Sequence, residues 1–192
     1  FGVSNVAPLI AEFLGLHLGI EIELALSDAR VDIVAEGFDI ALRIADLPDS
    51  SLRARRLCAI ASHIVAAPAY LARHGTPHHP GELGEHRLLG YTNVTGPWRF
   101  RGPGGAEVVV RAEGPLAANS GDALMPALLA GLGIARLPDF ILGDALASGQ
   151  VIEILPDWRP APVGLHLLTP PSPLRPARVE ALIAFLSERL RD

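Results

Sequence analysis

The chain has 192 residues, 49% of them hydrophobic and 19% charged, with mean hydropathy +0.33. That length supports a packed core in one large domain or two small lobes, and the composition excludes a disordered chain. All 16 basic residues are arginine against 21 acidic ones, giving net charge −5, which argues against a chain that grips nucleic acid phosphates by itself.

The longest stretch without Asp, Glu or Arg is Leu57–Ala72; Pro68 interrupts it, and it is shorter than the roughly 20 apolar residues that span a bilayer. Cys58 is the only cysteine, so an internal disulfide framework and zinc sites built on Cys pairs are excluded, and a reducing compartment is suited. Residue 1 is Phe, with no basic or apolar leader pattern after it, as in a mature form or a fragment of something longer.

Val6, Leu9, Ile10, Phe13 and Leu14 recur at helical spacing, with Ser4 or Asn5 as cap and Pro8 in the first turn. Ile20, Ile22, Leu24 and Leu26 alternate with Glu21 and Glu23, the pattern of a strand with one wet face. Asp28 is expected to open a short helix that Gly37 closes, and Phe38 to Ile44 alternate as a second strand. Helix, strand, helix, strand in succession implies parallel crossovers and an α/β fold. The polar loop 45–51 follows the carboxyl end of that strand, where open α/β sheets hold ligands.

Strand pattern resumes at Ile60–Ala66, with Arg53, Arg55 and Arg56 read as a solvated strand end, and Pro68 starts a helix through Arg73. Residues 73–81 are loop chemistry, and Glu82–His86 make one helical turn. Leu88–Tyr91, Trp98–Arg101 and Glu107–Arg111 read as short strands, the last two joined by Gly102-Pro103-Gly104-Gly105. Asn119 or Ser120 would cap an apolar helix over Ala123–Ala130 that Gly131-Leu132-Gly133 ends. Ile134–Leu137 is a buried strand, Pro138 starts another helix, and Val151–Leu155 and Val163–Thr169 are strands. The last helix buries Val179, Leu182, Ile183, Leu186 and Leu190.

The absence of Lys rules out a P-loop, and no Gly-x-Ser-x-Gly elbow is present. His74, His78, His79 and His86 sit without an acidic partner at a recognised ligand spacing and read as a solvent loop, so neither a metal nor a cofactor is expected. Asp46, Asp49 and Asp122 lie at turns and helix starts, where capping accounts for them without acid–base chemistry, and no enzyme is expected. Two helix N-termini remain, around Ser4 and around Ser120-Gly121-Asp122, where free N–H groups favour anions. Asn119-Ser120-Gly121-Asp122 offers more polar groups than a cap needs.

Several phrases in order resemble the effector-binding domain of LysR-type transcriptional regulators. They are Phe1-Gly2, Ala7-Pro8-Leu9-Ile10-Ala11-Glu12-Phe13-Leu14, the run 31–44, Leu47-Pro48-Asp49-Ser50-Ser51-Leu52, Pro68-Ala69-Tyr70-Leu71, Trp98-Arg99-Phe100, Ala130-Gly131-Leu132-Gly133-Ile134-Ala135 and Leu155-Pro156-Asp157-Trp158. The resemblance implies a two-lobed, periplasmic-binding-protein-like (type 2) α/β fold. Each lobe would be a Rossmann-like mixed sheet flanked by helices, with a ligand cleft between them. Lobe I would be 1–64 plus 166–192 and lobe II 65–165, and the family's N-terminal winged helix-turn-helix is outside this sequence.

Carried over by position, the resemblance gives as effector contacts Phe1, Gly2, Ser4, Ile44, Ala45, Asp46, Ser50, Ser51, Ala66, Tyr91, Asn119, Ser120, Gly121 and Asp122. It implies a small polar or anionic metabolite as effector, a homodimer or tetramer, DNA contact only through the missing module, no membrane, and a cytoplasmic location. The alternative on the same fold is a periplasmic solute-binding protein of a transporter. The sequence departs from the family's pattern in starting after its usual first strand and polar loop, and in having Ala45 where Gly is common.

Overall fold

In the computed structural model, which describes residues 1–28, 32–45, 53–92, 96–172 and 174–191, the chain enters through a wide helical turn at Gly2–Val6 that continues into α1 (Ala7–Leu16). The Phe1 carbonyl accepts from Asn5 N at 2.9 Å and Val6 N at 3.3 Å, so the helical turn has already begun where a cap was expected. Ser4 instead donates its hydroxyl to Asn5 Oδ1 at 3.0 Å, and neither side chain caps the helix. Phe13 (0% exposed) and Ile10 are the buried face of α1.

One expectation for the next stretch is corrected. Residues 20–26 join no ladder among the described residues, and Leu24 and Leu26 are 40% and 49% exposed. Alternation supplies two faces, but a strand also needs a neighbour for its backbone groups. Residues 29–31 lie outside the described residues, and from Asp32 the chain makes a turn. Asp32 Oδ1 accepts from Val34 N at 3.0 Å and Ala35 N at 3.2 Å, satisfying amides a turn leaves open. Gly37 ends that turn with φ +76°, the left-handed geometry a glycine adopts without strain.

The remaining elements, in chain order, are β1 (Ala41–Ile44), β2 (Arg53–Ile60), β3 (Ser62–Ala66), α2 (Pro68–His74), a tight helical turn at Pro80–Glu85, β4 (Leu88–Tyr91), β5 (Trp98–Arg101), β6 (Glu107–Val110), β7 (Ala117–Ala118), α3 (Met125–Leu129), β8 (Ile134–Pro138), α4 (Asp139–Leu142), α5 (Asp144–Ala147), β9 (Ile152–Glu153), β10 (Arg159–Pro160), β11 (Val163–Thr169) and α6 (Ala177–Arg189). They form two compact units, Phe1–Ile60 with Val163–Asp192, and Ala61–Pro162.

Unit 1 holds a three-stranded sheet ordered β1-β11-β2. Its centre, β11, buries Leu165, Leu167 and Leu168 (0%, 3% and 1% exposed). Both ladders are antiparallel, with Ile44 opposite Leu165 and Ile60 opposite Val163. The parallel crossover expected between strands at 20–26 and 38–44 is therefore corrected: β1 pairs instead with a strand from the end of the chain, and antiparallel. That pairing partner is more than 100 residues away, so local periodicity cannot show it. Arg53, Arg55 and Arg56 are exposed along β2, as read. On α6, Val179, Ile183 and Leu186 are buried; Phe185 meets Phe13 at 5.3 Å, and Arg189 pairs with Glu12.

Unit 2 holds a five-stranded sheet ordered β7-β4-β8-β3-β9 and a three-stranded one ordered β10-β5-β6. β4 pairs in parallel with β7 and β8, while β3 runs antiparallel to β8 and β9. All five residues of β8 are buried. Successive residues point to opposite faces, and both faces are covered. Ile64, Leu88 and Ile134 join Tyr70, Leu83, Trp98 and Phe100 in one cluster, whereas Val65, Leu89, Ala135 and Leu137 join Leu124, Leu128 and Leu142 in another. Each Leu, Ile, Val or Phe among them contributes about 1.5–3 kcal/mol through burial.

Three further differences from the sequence reading have a local backbone origin. The helix expected over Ala123–Ala130 is a tight turn at Asp122–Leu124 followed by α3. The helix after Pro138 breaks into α4 and α5 at Gly143, where φ is +44°. The strand expected over Val151–Leu155 stops at Glu153, because Leu155 takes φ +56° and turns the chain.

Candidate functional site

The residues assigned from the resemblance fall on both units, and each set is described on its own unit. On unit 1, Phe1 and Gly2 are half-buried at the head of the first helical turn and Ser4 is exposed on it. A Cβ on Gly2 would stand 2.6 Å from Leu26 Cδ2, so Leu26 packs closely onto that turn and would have to shift to admit a side chain there. Ile44 ends β1, and Ala45 carries the ladder one residue further by donating its N–H to Gly164 O at 3.1 Å. Asp46, Ser50 and Ser51 lie outside the described residues.

On unit 2, the parallel pairing of β4 with β7 sets Tyr91 beside Ala118, and Thr92 N donates to Ala118 O at 2.9 Å. The carboxyl ends of both strands therefore come together with the turn that follows β7. That turn presents Asn119 and Asp122 exposed, Ser120 half-buried and Gly121 buried. The residue at the cap position is Gly121 rather than the Asn119 or Ser120 expected, and the Gly121 carbonyl accepts from Leu124 N at 3.0 Å. A Cβ on Gly121 would stand 2.3 Å from Ile141 Cδ1, so the backbone here is pressed onto an apolar floor. Ala66 is fully buried at the end of β3, between Ile134 and Ile152, so its side chain belongs to the core.

This arrangement can hold a small polar molecule by hydroxyl, amide and backbone groups at strand ends over an apolar base. Ile141 and Leu137, which fix the position of Gly121, were not among the residues singled out from the sequence. Their contact with Gly121 crosses more than a dozen residues of chain, and no local pattern announces it.

Three of the histidines of 74–86 have partners within unit 2. His79 Nδ1 accepts from Gly81 N at 3.1 Å, and its ring meets Trp158 edge-on at 4.7 Å. His74 stacks on Tyr70 at 4.6 Å, and His86 Nδ1 lies 3.2 Å from the Tyr70 hydroxyl. Burial, then the neighbouring charge of His74, lowers the His86 pKa below the usual 6.5, with Glu85 and Glu82 opposing. Among the described residues no group of three or more His, Cys, Asp or Glu is placed to hold a metal ion, and no helix is long and apolar enough to cross a membrane.

Comparison with known proteins agrees with this geometry in kind. The family model described as LysR substrate binding domain matches residues 1–191. An uncharacterised HTH-type transcriptional regulator of Haemophilus influenzae is 36% identical over 171 residues, covering 88% of this chain and 59% of that protein. The full-length structure of AphB, a virulence activator of Vibrio cholerae, superposes with TM-score 0.82 at 30% identity, over 96% of this chain and 63% of that one. CrgA of Neisseria meningitidis, a LysR-type transcriptional regulator, gives TM-score 0.82 at 30% identity, over 100% of this chain and 65% of that one. The chain thus spans about three fifths of the length of these relatives. The relatives named are regulators, and nothing favours the transporter alternative. The chain belongs to the LysR substrate binding domain family and has the periplasmic-binding-protein-like α/β fold of LysR-type regulatory domains.

Proposed function

We propose that this chain is the effector-sensing and oligomerisation domain of a cytoplasmic DNA-binding transcriptional regulator, and that it catalyses no reaction. The observation that carries this reading is the family match over residues 1–191, with relatives that are HTH-type regulators. Net charge −5 fits a chain whose DNA contact is delegated to a helix-turn-helix module of the same protein.

The proposed effector is a small polar or anionic metabolite. Its contacts would be Phe1, Gly2, Ser4, Ile44 and Ala45 of unit 1, with Asp46, Ser50 and Ser51, and Ala66, Tyr91, Asn119, Ser120, Gly121 and Asp122 of unit 2. Lobe limits of 1–64 plus 166–192 and 65–165 are retained as the proposed functional division. Binding would bias the homodimer or tetramer between two states, and couplings of this kind amount to about 1–3 kcal/mol.

The test is a thermal-shift screen of small carboxylates and related metabolites, followed by the Asn119→Ala/Ser120→Ala double variant. The variant is expected to melt like the parent without ligand and to lose the ligand-induced rise. A full rise in the variant would refute the site. A full-length protein that binds no DNA would sink the regulator reading.

A further inference from the structure

We propose that unit 2 carries a second small-molecule site, apart from the proposed effector contacts, that takes an organic ammonium ion with a compact apolar body. The site is a cleft of about 370 Å³, a volume in the usual range for small ligands. It is formed between the segment that leaves α2 and the segment that follows β9. Ile154 and Leu155, 3% and 5% exposed, and the Trp158 indole make it apolar on one side.

Its charge is one-sided. The lining includes the acidic residues Glu153 and Asp157 and contains no Arg or Lys; His78 is the only other titratable residue there. His63 Nδ1 lies 2.8 Å from Glu153 Oε1, so Glu153 already has a partner, and a bound ammonium falls chiefly to Asp157. An indole is also the aromatic surface that attracts a cation most strongly.

Trp158 is held in place. The His79 ring meets it edge-on, the Trp158 backbone N–H donates to Leu155 O at 2.9 Å, and Gly102 lies so near that a Cβ there would stand 2.4 Å from indole carbons. Leu155 is the only described non-glycine residue with positive φ, +56°. Backbone of this kind persists where its surroundings over-determine it, and it is concentrated at ligand clamps.

The experiment is an NMR titration of the nitrogen-labelled protein at neutral pH with three probes of similar shape: phenethylammonium, phenylpropanol and phenylpropionate. The expected result is a saturable shift of the Trp158 indole N–H and of amides 153–158 with the ammonium. Binding of the carboxylate should be about tenfold weaker or more, from loss of one short-range charge attraction at a partly solvated site. Asp157→Asn, at an exposed position, should weaken ammonium binding by about the same factor and leave the alcohol unchanged. Equal binding of the three probes, a silent Trp158, or unaltered ammonium affinity in Asp157→Asn would overturn the proposal. The Asn119→Ala/Ser120→Ala variant should titrate with the ammonium like the parent. Loss of binding there would show that the two sites are not separate, whatever becomes of the effector reading.

Discussion

The Tyr70 hydroxyl accepts from Arg87 N at 3.0 Å and faces His86 Nδ1 at 3.2 Å, on a ring that is 1% exposed. Tyr70→Phe keeps the buried ring but strands the Arg87 amide and removes the partner of the imidazole. The expected cost is about 1–3 kcal/mol, read as a lower urea midpoint with unchanged slope. The same cluster sets a pH dependence. His86 has a folded pKa below 6.5, chiefly from burial, so the unfolded chain binds more protons in the window between the two values. Stability therefore rises with pH up through about 6.5 and falls on acidification below it. Urea melts across that window should show this slope, and His86→Gln should flatten it; an equal slope in the variant would assign the effect to other groups.

At the level of elements, β4 depends on a glycine outside any strand. A Cβ on Gly114 would stand 2.1 Å from the carbonyl oxygen of Leu88, where Leu88 N donates to Glu113 O at 3.0 Å and Gly90 N to Leu116 O at 2.9 Å. Gly114→Ala forces the 113–116 segment away from β4 and loosens the pairing that sets Tyr91 beside Ala118. A loss of about 2–4 kcal/mol is expected, the range for backbone clashes with broken ladder bonds, measured by denaturant unfolding. A variant within about 0.5 kcal/mol of the parent would mean the segment adapts without breaking these bonds. Elements of this kind were legible where pattern and punctuation agree. Leu88–Tyr91 and Trp98–Arg101 were read with their observed limits, because each is short, apolar and flanked by turn residues. The strand expected at 20–26 is absent because its alternation finds no backbone neighbour among the described residues, and 151–155 is shortened by one left-handed residue that nothing in the sequence marks.

For the whole molecule, the two units differ in how the chain builds them. Unit 2 is continuous, Ala61–Pro162, and both of its sheets are closed within that span, whereas the sheet of unit 1 needs β11 from the far end of the chain. Residues 61–162 expressed alone are therefore expected to fold, with cooperative urea unfolding and mixed α/β circular dichroism, while residues 1–60 alone are not. A non-cooperative 61–162 fragment would show that its core is completed from outside. By itself the sequence determined the α/β class, most helices and strands, the family resemblance and the polar turn 119–122, because these are written in local periodicity, turn chemistry and ordered phrases. Of the proposed site it supplied residue names. Only the tertiary structure decided that β11 separates β1 from β2, that Ala66 is core, that Gly121 lies on Ile141, and that Trp158 stands over the cleft beside Asp157. Each of these depends on contacts between residues far apart in the chain, which are set by packing and backbone pairing rather than by any local propensity.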